Sequence, residues 1–348
     1  MSSKVYFLPW NKKGELYSFL KVAGIFNHVK ARNFLAVKIH FGEDGNEGYI
    51  KPEYVLPVIK IAKEKTAYPF LTDASTIYVG ERSDAYHHLL VAHKHGFSIE
   101  NCGCPVVIAD GIKGNAEKKV EVNMKYFKDV YIANEIYNAD GFIFMSHFKG
   151  HGIIGIGGAL KNIGMGCGSK AGKYAMHHSS KPLVEYELCV GCGNCIKKCY
   201  QNALSLVNKK IVMDEEKCAG CGQCISNCAL QVFKLDWSEG AATVQEKIVE
   251  YAAGVLKNKS SSYINFLTHI SKYCDCFRLT KNDPLMNDIG IVAGNDPVAV
   301  DQASYDIVNK AFGKDFFKEL YPKIDSTVQF DYAEKVGLGT RDYVLIEC

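Results

Sequence analysis

Eight cysteines repeat one spacing twice within a short stretch of the chain. The first repeat reads CVGCGNCIKKC and the second reads CAGCGQCISNC, each with the pattern C-x2-C-x2-C-x3-C. Thiolates at this spacing wrap three corners of a [4Fe-4S] cluster, and the fourth cysteine of each run reaches the other cluster. The spacing therefore predicts crossed ligation. Cluster 1 takes Cys189, Cys192, Cys195 and Cys228, and cluster 2 takes Cys218, Cys221, Cys224 and Cys199.

The two repeats are more typical of iron than of zinc. Structural zinc sites also use four cysteines, but they usually separate their cysteine pairs by a longer spacer. Two neighbouring clusters exchange single electrons, and neither cluster needs to contact a substrate. The repeats therefore predict an electron-transfer segment, which we expect to fold as a small α+β domain of the bacterial ferredoxin type.

Polar side chains collect at the ends of predicted strands elsewhere in the chain. They are Lys38, His40, Asp73, Asp110, His147, Lys149, His151, Cys274, Asp275, Cys276, Asn295 and Asp296. Because ligands bind beyond the carboxyl ends of parallel strands, these residues predict a pocket at one edge of a sheet. Simpler roles stay open for some of them. Asp73 and Asp296 also suit the caps of following helices, and His40 also suits a core position.

The predicted pocket contains groups able to bind a substrate or a metal. The candidate catalytic residues are Lys38, His40, His147, Lys149, His151 and Lys161. Thiolates and imidazoles together suit iron, nickel or zinc, so His147, His151, Cys274 and Cys276 form a candidate additional metal site. The alternative is that Cys274 and Cys276 are simply two reduced thiols at a strand end.

Glycine is dense in the run GHGIIGIGGALKNIGMGCGSKAGK, which leads toward the first cysteine repeat. This density predicts a loop that a ligand approaches closely, with backbone N–H groups and Lys161 holding a phosphate or carboxylate. The run fits neither the P-loop nor the dinucleotide-binding glycine pattern. The alternative is that the glycines let the cysteine-rich segment pack near the sheet.

Apolar runs of strand length alternate with helical stretches on both sides of the cysteine repeats. The predicted strands are KVYFLPW, FLAVKIHF, PFLTDAS, PVVIADG, GFIFMSHF, YINFLTHI, DIGIVAG and DYVLIEC, and the predicted helices lie near 14–30, 52–65, 82–95, 130–138, 241–257 and 297–312. This order is typical of a three-layer α/β fold, in which helices cover a mostly parallel sheet.

The cysteine-rich segment is predicted to be an insertion into one α/β domain. Residues 1–180 and 238–348 form the two parts of that domain, and residues 181–237 form the ferredoxin-like domain. The alternative is a pair of α/β domains that flank a ferredoxin. It is disfavoured because the tail after the repeats supplies few strands for a sheet of its own.

Composition narrows the range of partners. The 348 residues include 41 basic and 38 acidic side chains without a dense basic run, so nucleic acid is not an expected ligand. No apolar run approaches membrane-spanning length, and VYFLPW near the N-terminus is too short for a signal-peptide core. Fourteen cysteines in a chain of this length fit reduced thiolates better than a secreted disulfide scaffold. We therefore expect a cytoplasmic protein of an anaerobic cell.

Several runs resemble an uncharacterised family known as domain of unknown function 362. These runs are VKIHFGE, LTDAST, SHFKGHGIIGIGGALKN, CDC and DIGIVAGNDPVAVDQAS, and the resemblance spans most of the chain. Similar members are described as iron–sulfur centre proteins, mostly from anaerobic bacteria and archaea, and often carry a two-cluster ferredoxin segment in the middle. The resemblance implies the same insertion here. It implies no reaction.

We expect an electron-transfer protein whose clusters pass single electrons between a redox protein partner and the pocket of the α/β domain. One alternative is an iron–sulfur-dependent oxidoreductase, a reductase with an additional metal or organic cofactor in the pocket. In that enzyme Lys149 or Lys161 orients an anionic substrate. Another alternative is a subunit that docks into a larger redox complex. The oligomeric state stays open.

Overall fold

The computed structural model describes residues 2–78, 80–177, 181–199, 201–218, 223–234, 240–276 and 283–348. The strands are β1 (Ser3–Pro9), β2 (Phe34–Lys38), β3 (Tyr68–Asp73), β4 (Val106–Ile108), β5 (Glu117–Glu121), β6 (Asp129–Ala133), β7 (Gly141–His147), β8 (Lys149–His151), β9 (Gly155–Gly157), β10 (Leu183–Val184), β11 (Leu204–Val207), β12 (Lys210–Met213), β13 (Phe233–Lys234), β14 (Ser260–Leu267), β15 (Gly290–Gly294) and β16 (Tyr343–Glu347). The helices are α1 (Leu16–Val22), α2 (Val55–Glu64), α3 (Ala85–Lys94), α4 (Ile99–Cys102), α5 (Asn134–Asn138), α6 (Ala159–Cys167), α7 (Lys170–His177), α8 (Asn194–Lys198), α9 (Gln223–Ser226), α10 (Ala241–Leu256), α11 (Pro297–Phe312), α12 (Phe316–Leu320) and α13 (Val328–Lys335).

Within the described residues, eight strands form one sheet in the order β16-β1-β15-β14-β7-β2-β3-β4. The pairs β14·β7, β7·β2, β2·β3, β3·β4 and β1·β16 are parallel. Strand β15 is antiparallel to both of its neighbours, β1 and β14. It therefore runs against the other seven strands. Strands from both sides of the cysteine-rich segment belong to this single sheet.

The sheet has an apolar core on each face. Along β7, Phe142 and Phe144 belong to one core, whereas Ile143 and Met145 belong to the other. This alternation follows from the two-residue period of a strand, and it requires helices on both faces. Helices α6, α10, α11 and α13 pack on the first face, and α1, α2 and α3 pack on the second. The prediction of an α/β fold with a large, mostly parallel sheet flanked by helices is confirmed.

The described parts of the cysteine-rich segment have a small core of their own. Strand β10 pairs with β13, and β11 pairs with β12, both antiparallel. Leu204, Ile211, Val232 and Phe233 are buried together beside the cysteines of both repeats. The predicted domain boundaries at 180 and 237 lie outside the described residues. Among the described residues no helix combines the length and the apolar character needed to cross a membrane.

Two predicted elements differ from the structure. Residues 129–133 form strand β6, paired with β5, so only 134–138 of the helix predicted near 130–138 is helical. The helix predicted near 14–30 is shorter, because α1 ends at Val22 and Gly24 has a left-handed backbone with φ of 64°. A left-handed residue ends a helix at little cost when it is glycine.

The glycine-rich run is not a loop. It forms the β8–β9 hairpin and then helices α6 and α7. Its glycines allow close helix packing, since a Cβ at Gly164 in α6 would lie 2.1 Å from the carbonyl oxygen of Ile248 in α10. Ile163 and Met176 on the two helices are buried in the core. Backbone contact between helices therefore explains Gly164. Other glycines of the run line the cavity described below, so the predicted approach of a ligand to them stays a prediction; they are Gly152, Gly157, Gly158 and Gly166.

Candidate functional site

A cavity of about 620 Å³ lies beyond the carboxyl ends of the parallel strands. The predicted residues that line it are Lys38, His40, Asp73, His147, Lys149, His151, Lys161, Cys274 and Cys276. They come from β2, β3, β7 and β8, from helix α6, and from the segment after β14. Parallel strands place these positions at one edge, so residues far apart in sequence meet in one pocket.

Four residues predicted for this edge, Asp110, Asp275, Asn295 and Asp296, do not line the cavity. Asn295 and Asp296 follow β15, and because β15 is antiparallel to its neighbours they lie at the opposite edge of the sheet. Asp296 instead caps α11 and accepts the backbone N–H of Val298 at 2.9 Å. Asp110 is buried, and its carboxylate accepts both the backbone N–H and the hydroxyl of Ser75 at 3.0 Å.

One wall of the cavity is a buried ion cluster. The Lys38 Nζ lies 2.8 Å from Asp73 Oδ1, and the Arg82 guanidinium lies 3.1 Å from Asp73 Oδ2. Arg82 also lies 3.5 Å from Glu43 and donates to the hydroxyl of Tyr78 at 2.7 Å. Burial alone would raise the pKa of Asp73, but Lys38 beside it helps to hold that pKa well below its usual range. Asp73 is therefore an ionised bridge between two cations rather than a helix cap.

Asp275 lies behind the part of the cavity wall that His147 and Lys149 form. Its carboxylate accepts from His147 Nδ1 at 2.9 Å and lies 3.2 Å from Lys149 Nζ, and all three side chains are buried. His147 Nε2 lies 2.7 Å from the carbonyl oxygen of Thr268. Both ring nitrogens therefore lie against acceptor oxygens within the protein, and neither is free to bind a metal in this structure.

The four residues of the candidate additional metal site do not form a ligand set in this structure. Cys274, Cys276 and His151 line the cavity, but His147 is engaged by Asp275. Across the described ranges, no group of three or more His, Cys, Asp or Glu side chains is arranged to hold a metal ion. Cys274 and Cys276 instead lie beside each other, and Cys276 also lies beside His40.

Cys276 lies in a setting that favours its thiolate. The hydrogen bond from Cys274, together with Lys161 and His40, holds the pKa of the Cys276 thiol well below its usual range against the effect of burial. The Sγ of Cys276 is 3.4 Å from His40 Nε2. The pKa of the Cys274 thiol is raised well above its usual range by the hydrogen bond to Cys276 and by burial. The pair is thus one thiol that donates to one thiolate.

Backbone groups fix the tautomers of two histidines in the cavity. His40 Nδ1 accepts the N–H of Gly42 at 3.0 Å, and His151 Nδ1 accepts the N–H of Ile153 at 3.3 Å. The proton of each neutral ring therefore lies on Nε2. Burial and a nearby cation lower the pKa of both rings, the cation being Arg82 for His40. Each ring is thus a neutral N–H donor, and that of His40 points at Cys276.

Lys161 is the cation of this site that is most available to a ligand. Within the described ranges its ammonium has no hydrogen bond or ion pair. Burial alone would lower the pKa of Lys161, but the charges of Cys276 and Cys274 raise it. Among the described lining residues lysine or arginine occurs five times and a carboxylate twice. The cavity is therefore suited to a small anionic molecule.

We expect Cys276 to react with iodoacetamide at nearly the same rate at pH 6.5 and pH 8, because its lowered pKa keeps the thiolate populated at both. An ordinary thiol, with a pKa of about 8.5, loses reactivity in that range as it becomes protonated. Lys161→Met should raise the pKa of Cys276 and restore a steep pH dependence. Peptide mapping of the alkylation rates at the two pH values, in the wild type and in Lys161→Met, would measure this. A steep profile for wild-type Cys276 would contradict the assignment of the thiolate.

Backbone N–H groups lie against the sulfurs of several repeat cysteines. Cys189 Sγ accepts the backbone N–H of Gly191 at 3.4 Å and of Ile211 at 3.3 Å. Cys199 and Cys228 each accept the backbone N–H of the residue four positions later. Such N–H···S contacts are what neutralise thiolates around an iron–sulfur cluster and tune its potential. The donor set present here therefore fits iron–sulfur clusters.

Proximity between the two repeats agrees with crossed ligation. Burial raises the pKa of the Cys195 thiol to about 11, and among the neighbours that raise it further Cys228 contributes before Cys192. Cys228 of the second repeat is therefore close to the thiols of the first. Cys221 lies outside the described residues.

The cysteine-rich segment touches the wall of the cavity. Helix α9, which contains Cys224, packs against α7, whose Lys173 and His177 line the cavity. The side chain of Asn115 also donates to that of Asn227 at 3.2 Å across the same contact. The second repeat is thus separated from the pocket by a single helix.

Sequence analysis missed several residues of the site. Glu43, Tyr78 and Arg82 lie in segments that follow strands β2 and β3, where no strand-end pattern marks them. Lys173 was noticed only as part of the glycine-rich run, yet it is buried, and burial lowers its pKa to about 8. An apolar environment around a charged residue is not visible in a single sequence.

The protein is thus of the α/β class. It has a charged cavity at the strand ends of its sheet and a cysteine-rich segment packed against that cavity. The chain belongs to the family described as domain of unknown function (DUF362), which matches residues 35–306. This match confirms the resemblance found in the sequence. The family description names no activity, and no curated protein matches the chain.

Two solved structures are similar to this chain at low identity. One is the lactate racemase apoprotein from Thermoanaerobacterium thermosaccharolyticum, with 11% identity, a TM-score of 0.42, and coverage of 88% of this chain and 58% of that one. The other is a protein from Thermotoga maritima, with 10% identity, a TM-score of 0.39, and coverage of 93% and 58%. The chain therefore spans 58% of the length of each, and neither likeness bears on its activity.

Proposed function

We propose that this protein is an iron–sulfur electron-transfer protein that passes single electrons between a redox protein partner and the strand-end pocket. The observation that carries the proposal is the contact between α9 and α7. Helix α9 contains Cys224, a ligand assigned to cluster 2, and α7 contributes Lys173 and His177 to the cavity. When bound, two [4Fe-4S] clusters supply one electron each at low potential.

The protein's own residues hold each part of this arrangement in place. N–H donors to the cysteine sulfurs would stabilise the thiolate ligands, and the core around Ile211 and Phe233 packs beside several of them. On the pocket side, Asp73 and Asp275 fix Lys38 and Lys149 in position. These buried ion pairs keep a charged cavity open, because a fully apolar one would collapse or stay dry.

A reductase is the second candidate, and a specific observation favours it. The cavity has the volume of a small-molecule site, and among its described lining residues lysine and arginine outnumber carboxylates. Lys161 and the Nε2–H group of His151 would bind the anionic part of a substrate or organic cofactor. This arrangement needs no additional metal, and it leaves Cys276 next to the bound molecule.

We also propose that the protein works in a reducing cytoplasm. All cysteines in the described residues are free thiols, including the buried Cys102, Cys104 and Cys167. Free thiols in such number are typical of compartments that glutathione or thioredoxin keep reduced. A redox protein partner would then supply or remove electrons at the cysteine-rich segment.

The direct test is an anaerobic metal inventory combined with electron paramagnetic resonance of the reduced protein. We expect about eight irons per chain and the signal of two reduced [4Fe-4S] clusters. Cys348→Ser, which changes a cysteine outside both repeats, should leave both readings unchanged. Zinc in place of iron, or iron without a cluster signal, would contradict the proposal. An extra metal that is lost on changing Cys274 and Cys276 would support a metal-dependent reductase.

A further inference from the structure

Cys274 and Cys276 face the same cavity although a residue separates them. The residue between them, Asp275, points away and is held by His147 at 2.9 Å and by Lys149 at 3.2 Å. The two thiols are left hydrogen-bonded to each other at the cavity wall. The electron-transfer proposal uses neither of them.

We propose that Cys274 and Cys276 form a redox-active pair, which closes as a disulfide and opens to store two electrons in the pocket. The inference rests on the proposed function, because the two clusters are the source of its electrons. It adds a two-electron step to carriers that each handle one electron. What the pair would reduce is a two-electron acceptor small enough to enter the cavity.

The step balances in atoms and electrons. Opening the disulfide breaks the S–S bond with two electrons, and each reduced cluster is oxidised by one electron. One proton from water in the cavity binds to Cys274, and Cys276 remains a thiolate. Transfer of the two electrons to an acceptor releases that proton and closes the disulfide again. Exchange reactions of this kind proceed through the thiolate as nucleophile.

The neighbours of the pair match these roles. His40 Nε2 lies 3.4 Å from Cys276 Sγ, and the Lys161 ammonium adds a positive charge, so the negative charge on Cys276 is stabilised after the bond opens. Cys274 is buried and keeps its proton, as the proton-binding member of the pair must. A thiolate next to a protonated thiol is the arrangement found in reactive dithiols.

The chain contains a matched comparison in Cys102 and Cys104, which have the same one-residue spacing. Both are buried in the apolar core between the sheet and α2, and they do not line the cavity. Burial raises the pKa of Cys104 to about 12. The nearby cation Lys63 lowers the pKa of Cys104 less than burial raises it. This second pair should therefore stay reduced.

The first experiment measures the oxidation state of both pairs in the holoprotein. Samples poised anaerobically at a series of potentials would be quenched in acid, alkylated and mapped by mass spectrometry. We expect a Cys274–Cys276 disulfide at high potential and none at low potential, with Cys102 and Cys104 alkylated throughout. The midpoint should fall with pH half as steeply as that of a couple that takes up two protons. Thiols at both pairs at every potential, or equal oxidation of both pairs, would overturn the inference.

The second experiment tests the electron source. Holoprotein with the pair oxidised would receive only enough dithionite to reduce the clusters, and the cluster signal would be followed by electron paramagnetic resonance. In the wild type the signal should decay as the disulfide opens, whereas in Cys274→Ser it should persist. A persistent wild-type signal would overturn the inference and leave the proposed function intact. Absence of any cluster signal would instead contradict the proposed function, and the mass spectra would still report on the pair.

Discussion

Cys228→Ala should remove cluster 1, the cluster assigned to the first repeat, although Cys228 belongs to the second repeat. The reason is that Cys195 and Cys228 pack at the same small core, and the spacing of the repeats predicts Cys228 as the fourth ligand of cluster 1. We expect about half of the iron to be lost. Iron analysis and electron paramagnetic resonance of the anaerobically purified variant would measure this.

The matched comparison is Cys195→Ala, which should remove the same cluster. The spectra of the two variants should therefore resemble each other, while Cys348→Ser should resemble the wild type. Crossed ligation would be wrong if Cys228→Ala kept cluster 1 and lost only the cluster bound by Cys218, Cys221 and Cys224.

Asp275→Ala should lower the free energy of unfolding by about 3–5 kcal/mol, the usual cost of removing one partner of a buried ion pair. The carboxylate is fully buried and serves both His147 and Lys149, so its loss leaves two buried donors without their acceptor. Denaturant titration of the holoprotein, followed by circular dichroism, would measure the change.

Glu64→Gln is the control for this prediction, since Glu64 forms an ion pair with Lys21 on the exposed surface. Solvent screens such pairs, and its removal should leave the unfolding midpoint almost unchanged. If Asp275→Ala were as stable as Glu64→Gln, the ion cluster behind the cavity would not be a structural support. Separate measurement of Cys276 alkylation would then show whether the pair had lost its orientation.

The sequence was sufficient to predict which strands build the sheet and which polar residues gather at its edge. Lys38 and His147 follow strands with clear apolar patterns, and parallel connections bring such positions together. The same reasoning misplaced Asp296, because a strand pattern carries no information about direction. Strand β15 is reversed, and this reversal moves its end to the far side of the sheet.

Other sequence-based predictions were incomplete because contacts between distant parts of the chain determine what a residue does. Gly164 in the glycine-rich run before the first repeat allows α6 to approach α10, and this role cannot be read from the sequence because it requires the partner helix to be known. The hydrogen bonds of His147 likewise have no signal in the sequence. Its spacing suits a metal ligand, but its partners Thr268 and Asp275 come from more than a hundred residues away. Arg82 has no local signal, since only burial distinguishes it from a surface arginine.

Because of the position of β1, the sheet can be completed only after the cysteine-rich segment has been synthesised. This first strand pairs with β15 and β16, and both are made after the cysteine-rich segment. While the chain is being synthesised, the segment that would receive iron and sulfide has emerged before the strands that complete the sheet exist. If the segment binds clusters as proposed, they could be inserted before the α/β sheet is complete, and the connectivity of the fold would set the length of that period.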